Sequence, residues 1–173
     1  FYGVLYGVQT FVPHMLEHGE ESYVVNTASL AAVLPMGGSY GVSKHGVLAL
    51  TESVQSDLEQ RGANIRAGVL CPGFVDTQIF AAERNRPGTE QNYTDPDDPR
   101  YEAVKSMLAN GKSPAEIAEY VFEAMAAKQF YMLPHPAWDE FVRSRTEQIL
   151  ARKGVAVMDT MAMLERSAKG EQF

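Results

Sequence analysis

The stretch Tyr23-Val-Val-Asn-Thr-Ala-Ser29, and beyond a ten-residue connection the stretch Tyr40-Gly-Val-Ser-Lys44-His-Gly46, together decide the fold. The first is short, apolar and β-branched, which suits a buried strand over residues 22–28. The connection contains Gly37 and Gly38. After it, Val42, Val47, Leu50, Val54 and Leu58 recur at helical spacing and predict a long helix over 39–61, closed by Gly62. The two stretches make one strand–loop–helix unit.

The same reading extends in both directions. Upstream, Val4, Leu5, Val8, Phe11, Val12, Met15 and Leu16 predict an amphipathic helix over 1–18. Gly3 and Gly7 fall on one of its faces, where they permit close helix approach, and Pro13 is expected to kink it. Because the chain opens on Phe1 inside this pattern, with no cap, an amino-terminal part is expected to be absent. Downstream, Asn64 to Leu70 predicts a second strand, broken by Cys71-Pro72-Gly73. Residues 78–112 are rich in Pro, Gly, Asn and Asp and are expected to be irregular, with helical stretches inside. Ser113-Pro-Ala-Glu116 is a capping box that opens a helix running to about Lys128. Phe130 to Leu133 predicts a third short strand and Pro136 to about Lys153 a last helix, with 154–173 a weakly specified tail. Strands alternate with helices, so the class is α/β with a parallel sheet.

The bulk numbers fit one soluble globular domain: 173 residues, 45% hydrophobic and 21% charged. A net charge of −7 supplies no basic stripe for nucleic acid and no attraction to an anionic membrane surface. No run approaches a membrane span, and no signal peptide is visible. The single cysteine, Cys71, fits a reducing compartment and is expected to be a small buried apolar residue. His14, His18, His45 and His135 lack metal-ligand spacing and are expected in solvated or capping roles. Asp95, Asp97 and Asp98 lack the glycine and distal glutamate of a calcium loop and suit a surface turn.

On a helix, Tyr40 and Lys44 share a face, and Ser29 at a strand end delivers a hydroxyl to the same region. A phenol titrates near 10 and is a poor base at neutrality. A cation about 4 Å from a phenolate is worth up to about 4 kcal/mol at an effective dielectric of 20, close to a thousandfold in acidity. Phenol, cation and neutral hydroxyl together suit proton exchange with an alcohol or carbonyl oxygen. Tyr-x-x-x-Lys alone is weak, arising by chance about once in four chains of this composition. Ser29 just past one strand and Pro72 to Thr77 just past the next converge on one sheet edge, where open α/β sheets bind ligands.

These residues resemble the short-chain dehydrogenase/reductase family. The resemblance runs from Phe1 to about Lys153 through Tyr2-Gly-Val-Leu-Tyr-Gly-Val-Gln-Thr-Phe-Val-Pro-His-Met-Leu16, Val25-Asn-Thr-Ala-Ser-Leu-Ala-Ala32, Tyr40-Gly-Val-Ser-Lys-His-Gly-Val47 and Cys71-Pro-Gly-Phe-Val-Asp-Thr77. It implies the carboxyl-terminal part of a doubly wound, Rossmann-like domain over 1–153, with three strands and 78–112 as the substrate-loop region. It implies an NAD- or NADP-dependent oxidoreductase passing a hydride between nicotinamide and a carbonyl or secondary alcohol. By resemblance Tyr40 is the acid/base, Lys44 its acidifying partner and ribose ligand, and Ser29 the group that orients the substrate oxygen. Pro72, Gly73, Val75 (by its backbone) and Thr77 (by its hydroxyl) would line the nicotinamide. The helices over 1–18 and 39–61 form a dimer bundle in the family, which implies a cytoplasmic homodimer or homotetramer.

The chain departs from the family pattern in three respects. The connection Leu30 to Ser39 is about two residues short, leaving Thr27 as a weaker substitute for Ser29. The family's catalytic asparagine would fall just before Phe1. The glycine-rich dinucleotide fingerprint is absent, and Gly37-Gly-Ser-Tyr-Gly41 has the wrong spacing to replace it. The isolated 173 residues are therefore expected to bind cofactor poorly and to be inactive. Phe74, Ile79, Phe80 and Met36 suit either an apolar substrate wall, for a hydrophobic or steroid-like alcohol, or ordinary core. Two other readings remain: an epimerase or dehydratase using the same Tyr-Lys pair, and a non-catalytic half-domain or binding subunit with an open sheet edge.

Overall fold

The computed structural model describes residues 1–36, 38–79, 82 and 99–155. Phe80, Gly37, the three aspartates at 95, 97 and 98 and most of the expected tail lie outside them. The described elements are α1 (Tyr2–His18), β1 (Ser22–Thr27), α2 (Gly38–Gln60), β2 (Ile65–Leu70), α3 (Pro99–Ala109), α4 (Pro114–Ala126), β3 (Tyr131–Met132) and α5 (Asp139–Leu150). Short 3-10 turns at Leu30–Ala32 and Pro136–Trp138 lead out of β1 and into α5. The helix expected from Pro136 is thus divided. The proline opens a tight turn, and the α-helix begins after Trp138.

The sheet is parallel, in the order β1-β2-β3. Its register pairs Ser22 with Ile65 and Thr27 with Leu70, and then Leu70 with Met132. All three strands therefore end at one edge. The outer side of β1 has no strand partner among the described residues.

Both faces of the sheet are covered, as parallel strands require. Ile65, Ala67 and Val69 alternate onto the face packed by α1 and α2, through Val12, Met15, Val47, Val54 and Leu58. Leu70 and Met132 face α4 instead, against Ile117, Tyr120, Val121, Ala124 and Met125. The capping box at Ser113 and Glu116 is complete, with the Ser113 backbone N–H donating to Glu116 at 2.7 Å and the Glu116 N–H donating to Ser113 Oγ at 3.2 Å.

One polar link crosses this core. The Asn26 amide, at the buried end of β1, donates to Thr51 Oγ1 at 3.0 Å, and that hydroxyl donates to the Val47 carbonyl at 2.7 Å. It ties the end of β1 to the middle of α2, fixing the strand end relative to the helix that carries Tyr40 and Lys44.

Gly3 and Gly7 of α1 approach nothing: no described atom lies within 4 Å of a Cβ built at either. Tyr2, Tyr6 and Phe11 of the same helix are exposed.

Candidate active site

The carboxyl ends of β1 and β2 and the first turns of α2 carry the candidate residues. Lys44 is half-buried, and its Nζ donates to the Thr27 carbonyl at the end of β1, at 3.3 Å. The same Nζ lies 5.7 Å from the centroid of the Tyr40 ring, one helical turn earlier. Burial holds the Lys44 ammonium below the usual lysine range, and the nearby Cys71 thiol acts in the opposite direction. Tyr40 is half exposed.

Ser29 caps the 3-10 turn that follows β1. Its Oγ accepts from the Ala31 N–H at 3.2 Å and lies 3.5 Å from the Pro72 carbonyl, a long contact. The Leu30 N–H donates to the same carbonyl at 2.9 Å. The loops after β1 and β2 are therefore joined at Pro72, as the convergence of Ser29 and Pro72 in the sequence implies.

The loop from Pro72 to Thr77 is held from its far side too. The Gly73 N–H donates to His135 Nδ1 at 3.1 Å, and His135 Nε2 lies 3.0 Å from the Phe74 carbonyl. The Lys112 N–H donates to that carbonyl at 3.3 Å, while the Lys112 carbonyl accepts from Asp76 N–H at 2.9 Å. Val75 and Lys112 form an isolated parallel bridge. Thr77 is exposed, its Oγ1 accepting from the Ile79 N–H at 3.4 Å.

Several expectations change. His135 is not solvated: it stands at the N-cap position of the Pro136–Trp138 turn, but its side chain makes no capping hydrogen bond and is instead buried, 2% exposed, with both ring nitrogens engaged elsewhere. Burial holds its imidazolium form below the ordinary histidine range. His45 also has a structural role. Its Nδ1 donates to the Gly41 carbonyl at 3.0 Å, and its Nε2 lies 3.3 Å from an Arg145 nitrogen on α5. Phe74 packs as core against Trp138, with ring centroids 6.2 Å apart, whereas Met36 and Ile79 are exposed. Cys71 is buried as expected, and burial pushes its thiol up to about 11.

Gly41 lets the chain enter α2 where it does. A Cβ there would lie 2.0 Å from the Met36 carbonyl oxygen, so any other residue would displace the turn just before Tyr40.

Comparison with known proteins gives this geometry its context. The sequence model for short chain dehydrogenases matches residues 1–88. The chain belongs to the short-chain dehydrogenase/reductase family. The CLA biosynthesis dehydrogenase/reductase of Lactiplantibacillus plantarum is 31% identical over 84% of this chain and 54% of its own length. The 1-deoxy-11-beta-hydroxypentalenate dehydrogenase of Streptomyces avermitilis is 36% identical over 72% of this chain and 40% of its own. A crystal structure of a short-chain dehydrogenase/reductase from Burkholderia phymatum, in complex with NAD, superposes with a TM-score of 0.79 at 38% identity, covering 90% of this chain and 58% of that one. The chain thus spans about half the length of the curated relatives it matches. In this short-chain dehydrogenase/reductase, among the described residues, no helix is long and apolar enough to cross a membrane and no cluster of acidic, histidine or cysteine side chains could hold a metal.

Proposed function

We propose that this chain carries the proton-transfer groups of an NAD(P)-dependent oxidoreductase that interconverts a carbonyl and a secondary alcohol. One observation carries the reading most: Lys44 is anchored on the Thr27 carbonyl and lies beside the Tyr40 ring. Cation and phenol are thereby held at the strand edge where Ser29 and Pro72 also meet. The dehydrogenase names of the relatives and the NAD bound by the Burkholderia phymatum neighbour support it.

The residues present fit the nicotinamide end of a dinucleotide. Thr27 is the one hydrogen-bond acceptor of the Lys44 ammonium among the described residues, which leaves N–H donors for a ribose. Gly73 presents no side chain, and its loop is braced on two sides. When bound, the dinucleotide supplies or takes up the hydride. In reduction, Tyr40 Oη gives its proton to the substrate oxygen; in oxidation the phenolate takes it back. The Lys44 charge stabilises that phenolate. Ser29 Oγ exchanges its long contact with the Pro72 carbonyl for a hydrogen bond to the substrate oxygen. Pro72, Gly73, Val75 and Thr77 line the nicotinamide. Exposed Met36 and Ile79 favour an apolar substrate. The exposed aromatic face of α1 favours assembly into a homodimer or homotetramer, and the single cysteine favours a cytoplasmic setting.

The test is a turnover assay of the full protein with apolar secondary alcohols and ketones. One NAD(P)H formed per alcohol oxidised is expected. Conversion of substrate with no net change in the dinucleotide would favour an epimerase or dehydratase and overturn this reading.

A further inference from the structure

His135 lies just after β3, far in sequence from the loop it touches, yet both of its ring nitrogens are bound to adjacent residues of that loop. Nδ1 receives the Gly73 N–H at 3.1 Å. A backbone N–H can only donate, so Nδ1 carries the lone pair, and Nε2–H must donate to the Phe74 carbonyl at 3.0 Å. The environment therefore selects one neutral tautomer. The ring also packs close to Gly73. A Cβ there would be 3.3 Å from His135 Cγ and 3.0 Å from Leu30 Cδ1. At 2% exposure His135 reaches neither solvent nor the open side of the strand edge.

We infer that His135 is a positioning residue for nicotinamide binding: a two-point brace that fixes the Pro72–Gly73 and Phe74–Val75 peptide units and with them the loop from Pro72 to Thr77. The inference rests on the proposed oxidoreductase reading and adds to it a residue outside the Tyr40, Lys44 and Ser29 set. Because His135 touches no reacting group, it acts only through the loop. Its influence is confined to the part of the dinucleotide that the loop meets. Without the brace, the part-buried Gly73 N–H loses its acceptor and the Phe74 carbonyl keeps only the longer hydrogen bond from the Lys112 N–H, at 3.3 Å, so the loop is free to shift.

The test compares two ligands in the full protein by fluorescence titration or calorimetry. NADH carries the nicotinamide and ADP-ribose does not; NADPH and 2′-phospho-ADP-ribose serve if the protein prefers the phosphorylated form. His135→Phe keeps the ring volume and removes both hydrogen bonds. His135→Gln keeps an acceptor and a donor on one planar group. His135→Phe is expected to weaken NADH binding at least about tenfold while leaving ADP-ribose within about twofold, and His135→Gln to recover most of the loss. Should His135→Phe fail to fold, the same ligand split is read from His135→Asn, whose shorter amide reaches only the Gly73 N–H.

Equal weakening of both ligands would assign His135 to general stability, and unchanged NADH binding would remove any role; either result overturns the inference. If the unsubstituted protein bound ADP-ribose and NADH equally, with no dinucleotide turnover, the oxidoreductase reading would fail and this inference with it.

Discussion

Lys44 on α2 and Thr27 at the end of β1 are joined by a hydrogen bond from the lysine Nζ to the threonine carbonyl, at 3.3 Å. The acceptor is main chain, so the position of the cation is set by the sheet and not by a second mobile side chain. The geometry differs from a simple ion pair, because the ammonium is half-buried and faces a carbonyl dipole and an aromatic ring with no carboxylate between them.

This arrangement puts function ahead of stability. The folded-state pKa of Lys44 lies below its ordinary value of 10.5 because burial disfavours the charge. Below that folded value both the folded and unfolded chains carry the proton, so the burial penalty is fully present at neutral pH. It is relieved only as the pH rises through the folded value toward 10.5. Lys44→Met should therefore not lower the melting temperature at neutral pH, while turnover falls about a hundredfold or more and the pH–rate profile moves to higher pH. Thermal denaturation and a pH–rate series check both halves.

The link from Asn26 to Thr51 should matter for stability. Thr51 is fully buried, and its hydroxyl is the acceptor for the buried Asn26 amide. Thr51→Val keeps the shape and strands that amide. A loss of about 1–3 kcal/mol in a denaturant titration is expected. Replacing Asn26 and Thr51 together by apolar residues should be less harmful than the sum of the single changes.

Gly41→Ala should damage the site more than an ordinary helix substitution. Alanine is normally favoured over glycine inside a helix. Here its Cβ would fall 2.0 Å from the Met36 carbonyl oxygen, so the turn leading to Tyr40 must shift. Turnover should drop at least tenfold, with a lower melting temperature; an unchanged or raised melting temperature would mean the turn yields freely.

Cys71 should be inert in the folded protein. Its thiol is 1% exposed and pushed by burial to about 11, from an ordinary 9.0. The folded value is the raised one, so the stability this group contributes is complete below pH 9 and is lost as the pH climbs toward 11. Alkylation at neutral pH should proceed only at the rate of global unfolding, and the midpoint of urea unfolding should fall between pH 9 and about 11.

Much of this was legible in local sequence. The strand over 22–28 becomes Ser22–Thr27 and the helix over 39–61 becomes Gly38–Gln60, because β-branched runs and the apolar spacing of Val47 and Leu58 are short-range signals. The meeting of the loops after β1 and β2 also follows from two strands ending at one parallel edge. His135 was not legible. Its partners Gly73 and Phe74 are 62 and 61 residues away, and nothing in Leu133-Pro-His-Pro136 marks a buried brace rather than a surface turn. The link from His45 to Arg145 spans 100 residues and is hidden for the same reason. Phe74 could not be divided between wall and core from sequence, because its neighbour Trp138 comes from the far end of the chain.

The most direct test is single-turnover hydride transfer in the full protein and its Tyr40→Phe variant, with dinucleotide affinity measured in parallel. The variant should lose about a thousandfold or more in rate while keeping its affinity for the dinucleotide, since only the proton-carrying hydroxyl is removed. A variant that transfers hydride within a few-fold of the unsubstituted protein would contradict the assignment of Tyr40 as the acid/base.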